Sequence, residues 1–167
     1  MLSLLAKLLK ILNSEAEPSQ ISLAFGFALI SGFLSFFSPF NLLILLLVLF
    51  FRVNLSAYIL GTVFFSGVAY LLDPLFHRFG FSVLTLPALE GLWTSLYGST
   101  LWRIQRFNNS VVMGGIVFSL LFFMPLVLAS NVLVRKYRER VLVWVRKTRL
   151  MQIVTASKLY SFYEKLS

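Results

Sequence analysis

The chain has 167 residues, of which 59% are apolar and 13% are charged. Soluble domains carry about 25% charged residues, so this composition excludes an ordinary soluble globular protein and indicates a membrane protein. The formal net charge is +9, and nine of the 15 Lys and Arg residues lie in residues 135–167. The chain has no cysteine, which excludes disulfides and thiolate metal sites.

Residues 1–17 are predicted to form an interfacial amphipathic helix. Lys7 and Lys10 fall on one face and a set of leucines on the other. A helix of this length is too short to cross a bilayer, so we expect it to lie in the interface with its lysines toward phosphates. A helix that binds a partner protein is the alternative.

Residues 18–52 are predicted to form a re-entrant helical hairpin, with helices at 19–38 and 39–51 separated by Ser38-Pro39. The apolar part of the second helix is roughly 15 Å long, about half of a bilayer core near 30 Å. A hairpin that returns to its starting side therefore fits better than a crossing. Asn41 would lie near the tip, either as a turn residue that bonds local backbone or as a polar contact for a ligand.

Small residues at helical spacing predict two close-packing faces. Ala24, Ala28 and Gly32 lie on one stripe of the first helix. Residues 55–72 are uncharged and long enough to span a membrane, and Gly61 and Gly67 mark the face expected to receive that stripe, because small residues let two backbones approach closely in lipid.

Asp73-Pro74 is expected to end this span and to begin an outer amphipathic segment, residues 74–109. Within it, the pattern predicts a short helix from Pro87 to Gly98 and a second short piece around residues 101–106, with aromatic residues at the interface.

Residues 110–134 form the clearest predicted span, and residues 135–167 the predicted basic cytoplasmic tail. If both termini are cytoplasmic, twelve Lys and Arg residues lie inside and only Arg78, Arg103 and Arg106 lie outside. This asymmetry follows the positive-inside rule. The tail is expected to meet anionic lipid, and we predict no nucleic-acid partner.

Two groups of polar residues are candidate lipid or partner contacts. Asp73 and His77 are four residues apart and Arg78 is adjacent, so they could form an acid–histidine pair at the membrane face; the alternative is that Asp73 only caps a helix starting at Pro74. His77 is the sole histidine, and no metal site or cofactor is predicted. At the mouth of the hairpin, Arg52 and Asn54 could hold a lipid headgroup or simply end and start helices.

Arg103 and Arg106 are the corresponding candidates on the outer side. They are three residues apart beside an aromatic residue, so they could bind a phosphate. An ordinary pair of interfacial cations is the alternative.

Residues 18 to about 80 resemble the bacterial membrane family called domain of unknown function 2062. The likeness rests on the helix containing Gly26, the break at Pro39, and residues 52–55 leading to residues 61–62. Residues 72–78 and 102–109 resemble a narrower set of small proteobacterial proteins in that family. This chain has Ser66-Gly67 where the wider family tends to carry Asn-Pro. The resemblance implies an inner-membrane accessory protein of unassigned chemistry, found with glycosyltransferases or large envelope proteins.

The sequence therefore predicts an all-α integral membrane protein of the bacterial inner membrane: an interfacial helix, a re-entrant hairpin, two transmembrane helices, an outer segment and a basic tail. The expected function is that of a non-catalytic subunit that anchors or gates a larger envelope complex, in the transfer or assembly of lipid or lipid-linked material. A small transporter or channel gated by the hairpin, working as a homo-oligomer, is the alternative. An enzyme acting on lipid headgroups through Asp73 and His77 is a third reading.

Overall fold

The computed structural model describes residues 16–34 and 38–142, and all regular structure in these ranges is helical. The interfacial helix expected at 1–17 and most of the tail expected at 135–167 lie outside the described residues. In chain order the described residues form α1 (Pro18–Phe33), α2 (Pro39–Phe50), α3 (Leu55–Leu84), α4 (Glu90–Gly98), α5 (Thr100–Gln105) and α6 (Ser110–Lys136), with a 3₁₀ turn at Pro87–Leu89 and a π-helix at Tyr137–Leu142.

The hairpin consists of two helices that are both too short to cross a bilayer. α1 ends at Phe33 rather than at residue 38, and Leu34 is already extended (φ −94°, ψ 159°). Its 16 residues make it about 24 Å long. Ser38 is extended too, as expected for a residue before proline, and its hydroxyl accepts a hydrogen bond from Asn41 N and so caps α2.

α1 and α3 run in the same direction, in contact through small residues. A Cβ at Gly61 would lie 2.7 Å from Ala28 Cβ, and a Cβ at Gly32 would lie 2.6 Å from Phe65 Cβ. The residue numbers of the contacts increase along both helices, from Ala28 and Gly61 to Gly32 and Phe65. The helices α1 and α3 therefore begin at the same end of the molecule. The chain therefore goes out along α1 and comes back along α2 before α3 starts.

α6 runs antiparallel to both and completes a three-helix bundle. A Cβ at Gly26 would lie 2.5 Å from a methyl carbon of Val127, whereas a Cβ at Gly115 would lie 2.5 Å from the carbonyl oxygen of Phe33. α2 lies outside this bundle and packs mainly on α1. The buried cluster joins the start of α1, the end of α2, the start of α3 and the end of α6; it includes Ile21, Ala24, Val48, Val53, Tyr58 and Val134.

The prediction that Asp73-Pro74 ends a helix is wrong, because α3 continues to Leu84 with Pro74 in its interior. An interior proline costs about 3 kcal/mol, and packing beyond it offsets that cost. Phe76 is only 1% exposed, and its ring centroid lies 4.9 Å from that of Phe33 and 5.3 Å from that of Phe118. Residues 74–84 thus extend α3, and the separate outer segment is confined to residues 85–109.

In the part of the chain that the structure describes, two helical stretches are long and apolar enough to cross a membrane, Leu55–Leu84 and Ser110–Glu139. Only 17% and 22% of their most apolar windows are buried, so most of each window lies on the surface of the bundle. Large hydrophobic side chains on both are exposed, among them Tyr70, Leu71, Leu120 and Leu133. An apolar surface of this kind needs an apolar partner or lipid around it.

Candidate functional site

A cavity of about 620 Å³ lies between the hairpin and α3. It exists because α2 packs on α1 and touches α3 only sparsely, which leaves a gap between the returning arm of the hairpin and the next helix. Ser31 of α1 and Ile104 of α5 also contribute to its lining. The lining residues are Ser31, Ser38, Pro39, Asn41, Leu42, Leu45, Tyr58, Ile59, Thr62, Val63 and Ile104.

The cavity opens sideways between α2 and α3. Leu42, Ile59 and Val63 line it and are all more than half exposed, Val63 by 64%. Among the described residues, none that lines the cavity is a Lys, Arg, Asp, Glu or His. This wall suits a neutral apolar chain that enters from the surrounding apolar phase, and it does not suit an ion, whose desolvation would be costly.

The floor of the cavity is polar and well buried. The hydroxyls of Ser31 and Tyr58 lie 2.8 Å apart and are hydrogen-bonded. Thr62 Oγ1 donates to the carbonyl oxygen of Tyr58 at 2.8 Å. Asn41 Nδ2 donates to the carbonyl oxygen of Ser31 at 3.2 Å, which satisfies a carbonyl group in the last turn of α1. Asn41 thus ties the two arms of the hairpin together and also lines the cavity.

A second cavity, of about 530 Å³, lies on another face of the bundle. Its walls come from α1, α3 and α6 and are wholly hydrophobic, including Leu29, Phe33, Leu72, Phe118 and Leu126. Its described lining residues include no donor or acceptor side chain that would orient a ligand, so they offer less specificity than those of the cavity beside the hairpin.

Arg52 and Asn54 at the mouth of the hairpin have defined backbone roles. Arg52 is left-handed (φ 50°); its N–H donates to the carbonyl oxygen of Leu49 at 3.2 Å, and Val53 N–H donates to Val48 at 3.0 Å. These two bonds form a Schellman motif, in which glycine is the usual left-handed residue. Asn54 Oδ1 accepts from Ala57 N at 2.9 Å and caps α3. The Arg52 side chain is exposed.

The structure does not place Asp73 at a helix start, so the alternative that Asp73 only caps a helix starting at Pro74 is wrong. Asp73 is half-buried inside α3. His77 bonds instead to α6: its Nδ1 lies 2.6 Å from Ser110 Oγ. Arg78 is exposed on the same stretch of α3. Among the described residues no three His, Cys, Asp or Glu side chains come together in a way that could hold a metal ion.

The outer segment folds around one aromatic residue. The predicted short helices are confirmed as α4 and α5. Phe107 is 2% exposed, and the rings of Trp93, Tyr97 and Trp102 surround it at centroid distances of 6.2, 6.4 and 6.0 Å. Trp102 also contacts Phe40 of α2 at 5.1 Å. The outer segment is therefore docked on the start of α2, beside the tip of the hairpin.

Arg103 and Arg106 do not share a helix stripe. Arg103 lies in α5 and its carbonyl oxygen accepts from Arg106 N at 3.0 Å, whereas Arg106 follows the end of the helix with φ 57°. Both side chains are exposed. Asn109 next to them caps α6 by accepting from Val111 N at 2.9 Å. Each exposed arginine can thus meet a phosphate, but the two do not form a pair on one helical face.

The prediction that Gly67 packs against another helix is wrong. A Cβ there would meet nothing within 4 Å, so it lies on the open side of α3. Ala24 and Ala28 are fully buried, and Gly32 and Gly61 lie in the α1–α3 contact.

Sequence reasoning missed the pairing of Ser31 with Tyr58, which are 27 residues apart. One signal was available: a tyrosine hydroxyl inside an uncharged apolar span needs a hydrogen-bond partner, and a serine hydroxyl such as that of Ser31 can supply it.

Comparison with known proteins adds a distant relative. The chain is 27% identical over 138 residues to an uncharacterised protein of Treponema pallidum (strain Nichols), an alignment that covers 83% of this chain and 85% of the relative. No family model matches the chain. No solved structure matches it either.

Proposed function

We propose that this protein is a non-catalytic subunit of a bacterial inner membrane that anchors or gates a larger envelope complex and handles lipid or lipid-linked material. The support for membrane insertion is the exposed apolar surface of two helices long enough to cross. In this arrangement α3 and α6 cross, and the α1–α2 hairpin re-enters from the cytoplasmic side.

The proposed topology has both termini and Arg52 in the cytoplasm and residues 85–109 on the other side. The charge asymmetry of the sequence supports it. The shared direction of α1 and α3 supports it as well, since it brings the chain back to one end of the bundle before α3 begins.

The observation that carries the proposed link to lipid is the cavity beside the hairpin. Its walls are apolar and open sideways, and its polar floor contains hydroxyl and amide groups without a charged side chain. A site of this composition holds and orients a chain-bearing molecule. The described lining residues include no carboxylate, histidine or lysine, and we therefore assign them to binding.

The channel alternative requires several copies of the chain. Within the described residues, α1, α3 and α6 touch one another through Gly26, Gly61 and Gly115, which leaves the bundle axis filled. A conducting path would therefore run between copies. The hairpin could gate such a path, but no described contact favours this function over the first.

A pull-down from native membranes in mild detergent tests the proposed function. The full chain, carrying an affinity tag, is isolated at native abundance; the mass of the complex is measured by light scattering and its proteins and lipids by mass spectrometry. We expect one larger envelope protein at fixed stoichiometry, together with retained lipid.

Two results would count against the proposal. Recovery of the chain only as a homo-oligomer would favour the channel. Recovery with a partner but with no retained lipid would leave an anchoring subunit and remove the role in lipid handling.

A further inference from the structure

The two hydroxyl groups of Ser31 and Tyr58 carry two hydrogens, and only one of them makes a hydrogen bond in the described structure. The two hydroxyls share a single hydrogen bond at 2.8 Å, in which either oxygen can be the donor. Each hydroxyl carries one hydrogen, so one hydrogen serves the pair and the other remains. In the described part of the chain, neither hydroxyl has a second hydrogen-bond partner.

This remaining donor is buried. Ser31 is 2% exposed and Tyr58 is 7% exposed, and both line the cavity beside the hairpin. Buried hydroxyls nearly always find partners, because leaving a donor unsatisfied away from water is costly. The pair therefore presents a donor that a molecule in the cavity can satisfy.

The other polar groups of the floor are largely engaged. Thr62 donates to Tyr58 O, and Asn41 donates to Ser31 O. Ser38 accepts from Asn41 N as the cap of α2, and its hydroxyl hydrogen is a further donor among the described lining residues.

The chemistry of the cavity restricts what can accept this hydrogen bond. The described residues of the lining include no charged side chain, so they would not compensate the desolvation of a phosphate or carboxylate. The walls are hydrocarbon and open sideways. A neutral acceptor attached to an apolar chain fits both conditions, and the ester carbonyl of an acyl lipid is such a group.

We infer that the cavity binds an acyl chain of a glycerolipid, whose ester carbonyl accepts the remaining hydroxyl hydrogen of the Ser31–Tyr58 pair. The inference rests on the proposed function, since it assigns the class of lipid and the contact that selects it. The carbonyl fixes the position of the lipid, and the chain lies along α3 past Ile59 and Val63.

Native mass spectrometry of the full chain with two defined lipids tests the contact. One probe is phosphatidylglycerol with two oleoyl ester chains; the other is its analogue with ether-linked chains of the same length. An ether lacks the carbonyl but keeps the headgroup and the chains. We expect the ester lipid to be retained about two- to tenfold more than the ether, the range of one hydrogen bond.

The variants separate this contact from simple loss of structure. In Ser31→Ala or Tyr58→Phe alone, the surviving hydroxyl is released from the pair and still donates, so we expect the ester preference to persist. The double variant removes both hydroxyls and leaves no orphaned group, so it should fold and bind both lipids equally. Such non-additivity is the signature of a shared contact.

A cavity-filling variant tests the location. Val63→Trp places a large ring in the cavity wall and should lower retention of both lipids. Val132→Trp is the matched control on the exposed surface of α6, outside the cavity lining, and should bind as the parent does.

Each outcome has a definite meaning. Equal retention of ester and ether by the parent, with loss of both in Val63→Trp, overturns the carbonyl contact but leaves the proposed function standing. Retention unaffected by Val63→Trp removes the cavity from lipid handling altogether. An ester preference that survives the double variant and disappears in Ser38→Ala assigns the donor to Ser38 and refutes the Ser31–Tyr58 contact.

Discussion

Gly61 of α3 lies so close to Ala28 of α1 that a Cβ at position 61 would be 2.7 Å from Ala28 Cβ. Real side chains do not approach this closely, so the contact depends on glycine. Ala28 is fully buried. The pair fixes how near the hairpin lies to α3, and hence the width of the cavity next to it.

Gly61→Ala is predicted to destabilise the protein although alanine is the better helix former. The added methyl must push α1 away from α3, and overpacking of this kind typically costs about 1–3 kcal/mol. Gly67→Ala is the matched control in the same helix: its Cβ would meet nothing within 4 Å, so it should stabilise the helix by up to about 1 kcal/mol. Thermal unfolding in one detergent compares them, and equal melting temperatures would refute the close contact.

Gly114→Ala is predicted to be more harmful than Gly61→Ala. A Cβ at Gly114 would run into the carbonyl oxygen of Phe76, and backbone cannot rotate away as a side chain can. The helices α3 and α6 would have to separate where His77 bonds Ser110. The yield of monodisperse protein and its melting temperature provide the measurement. Gly91→Ala in α4, where a Cβ is unobstructed, controls for a general effect of alanine. Equal melting temperatures of Gly114→Ala and Gly91→Ala would contradict the close contact between α3 and α6.

The helical class and the short helices of the hairpin follow from local sequence. Ser38 followed by Pro39 marks the start of α2 from the sequence alone. The Ser38 hydroxyl caps the helix, and Pro39 lacks a backbone N–H at the first helical position, where an N–H has no partner within the helix. The same reasoning failed at Pro74. There the outcome depends on Phe76, which packs between Phe33 and Phe118, and no local pattern reveals those partners.

The candidate site was predicted less well than the fold. Asn41, Arg52 and Asn54 were singled out as possible contacts, and the structure gives all three backbone roles at helix ends. The cavity depends on how far α2 stands from α3, which is a property of packing. The Ser31–Tyr58 pair joins two helices across 27 residues, so it required knowledge of which helices pair and in which direction.

Arg52→Gly is predicted to raise the melting temperature. Arg52 has φ 50°, a left-handed conformation that costs an L-residue about 1–2 kcal/mol and costs glycine almost nothing. Arg52→Ala retains the strain and serves as the control. If Arg52→Gly instead lowers stability in anionic lipid but not in neutral detergent, the guanidinium holds a lipid phosphate that outweighs the strain.

The proposed topology can be read directly, since the chain contains no cysteine to mask. Single cysteines are introduced at Ser3, Ser56, Ser95 and Ser167, and intact cells are treated with an impermeant thiol reagent. Ser56 and Ser95 have exposed side chains, so folding does not hide them. Only Ser95→Cys should be labelled from outside. Labelling at Ser3 or Ser56 would show that residues 18–52 cross the membrane and would contradict the re-entrant hairpin.

The outer segment, rather than the basic tail, is predicted to hold the partner. Its aromatic cluster docks on the start of α2 through Trp102 and Phe40, so a protein bound there can act on the hairpin, whereas anionic lipid alone accounts for the tail's charge. The test variant combines Arg103→Gln with Arg106→Gly, because position 106 is left-handed (φ 57°) and accepts glycine without strain. It should keep its membrane abundance and melting temperature but lose the larger protein recovered from native membranes.

The control for that variant neutralises three tail cations by changing Arg146, Lys147 and Arg149 to Gln. It removes more charge than the outer variant and should still retain the partner. Both are isolated in parallel, with the amount of chain in the membrane measured in each, so that a change in expression is not read as lost binding. If the tail variant alone loses the partner, the contact lies in the cytoplasm, and Arg103 and Arg106 are ordinary interfacial cations.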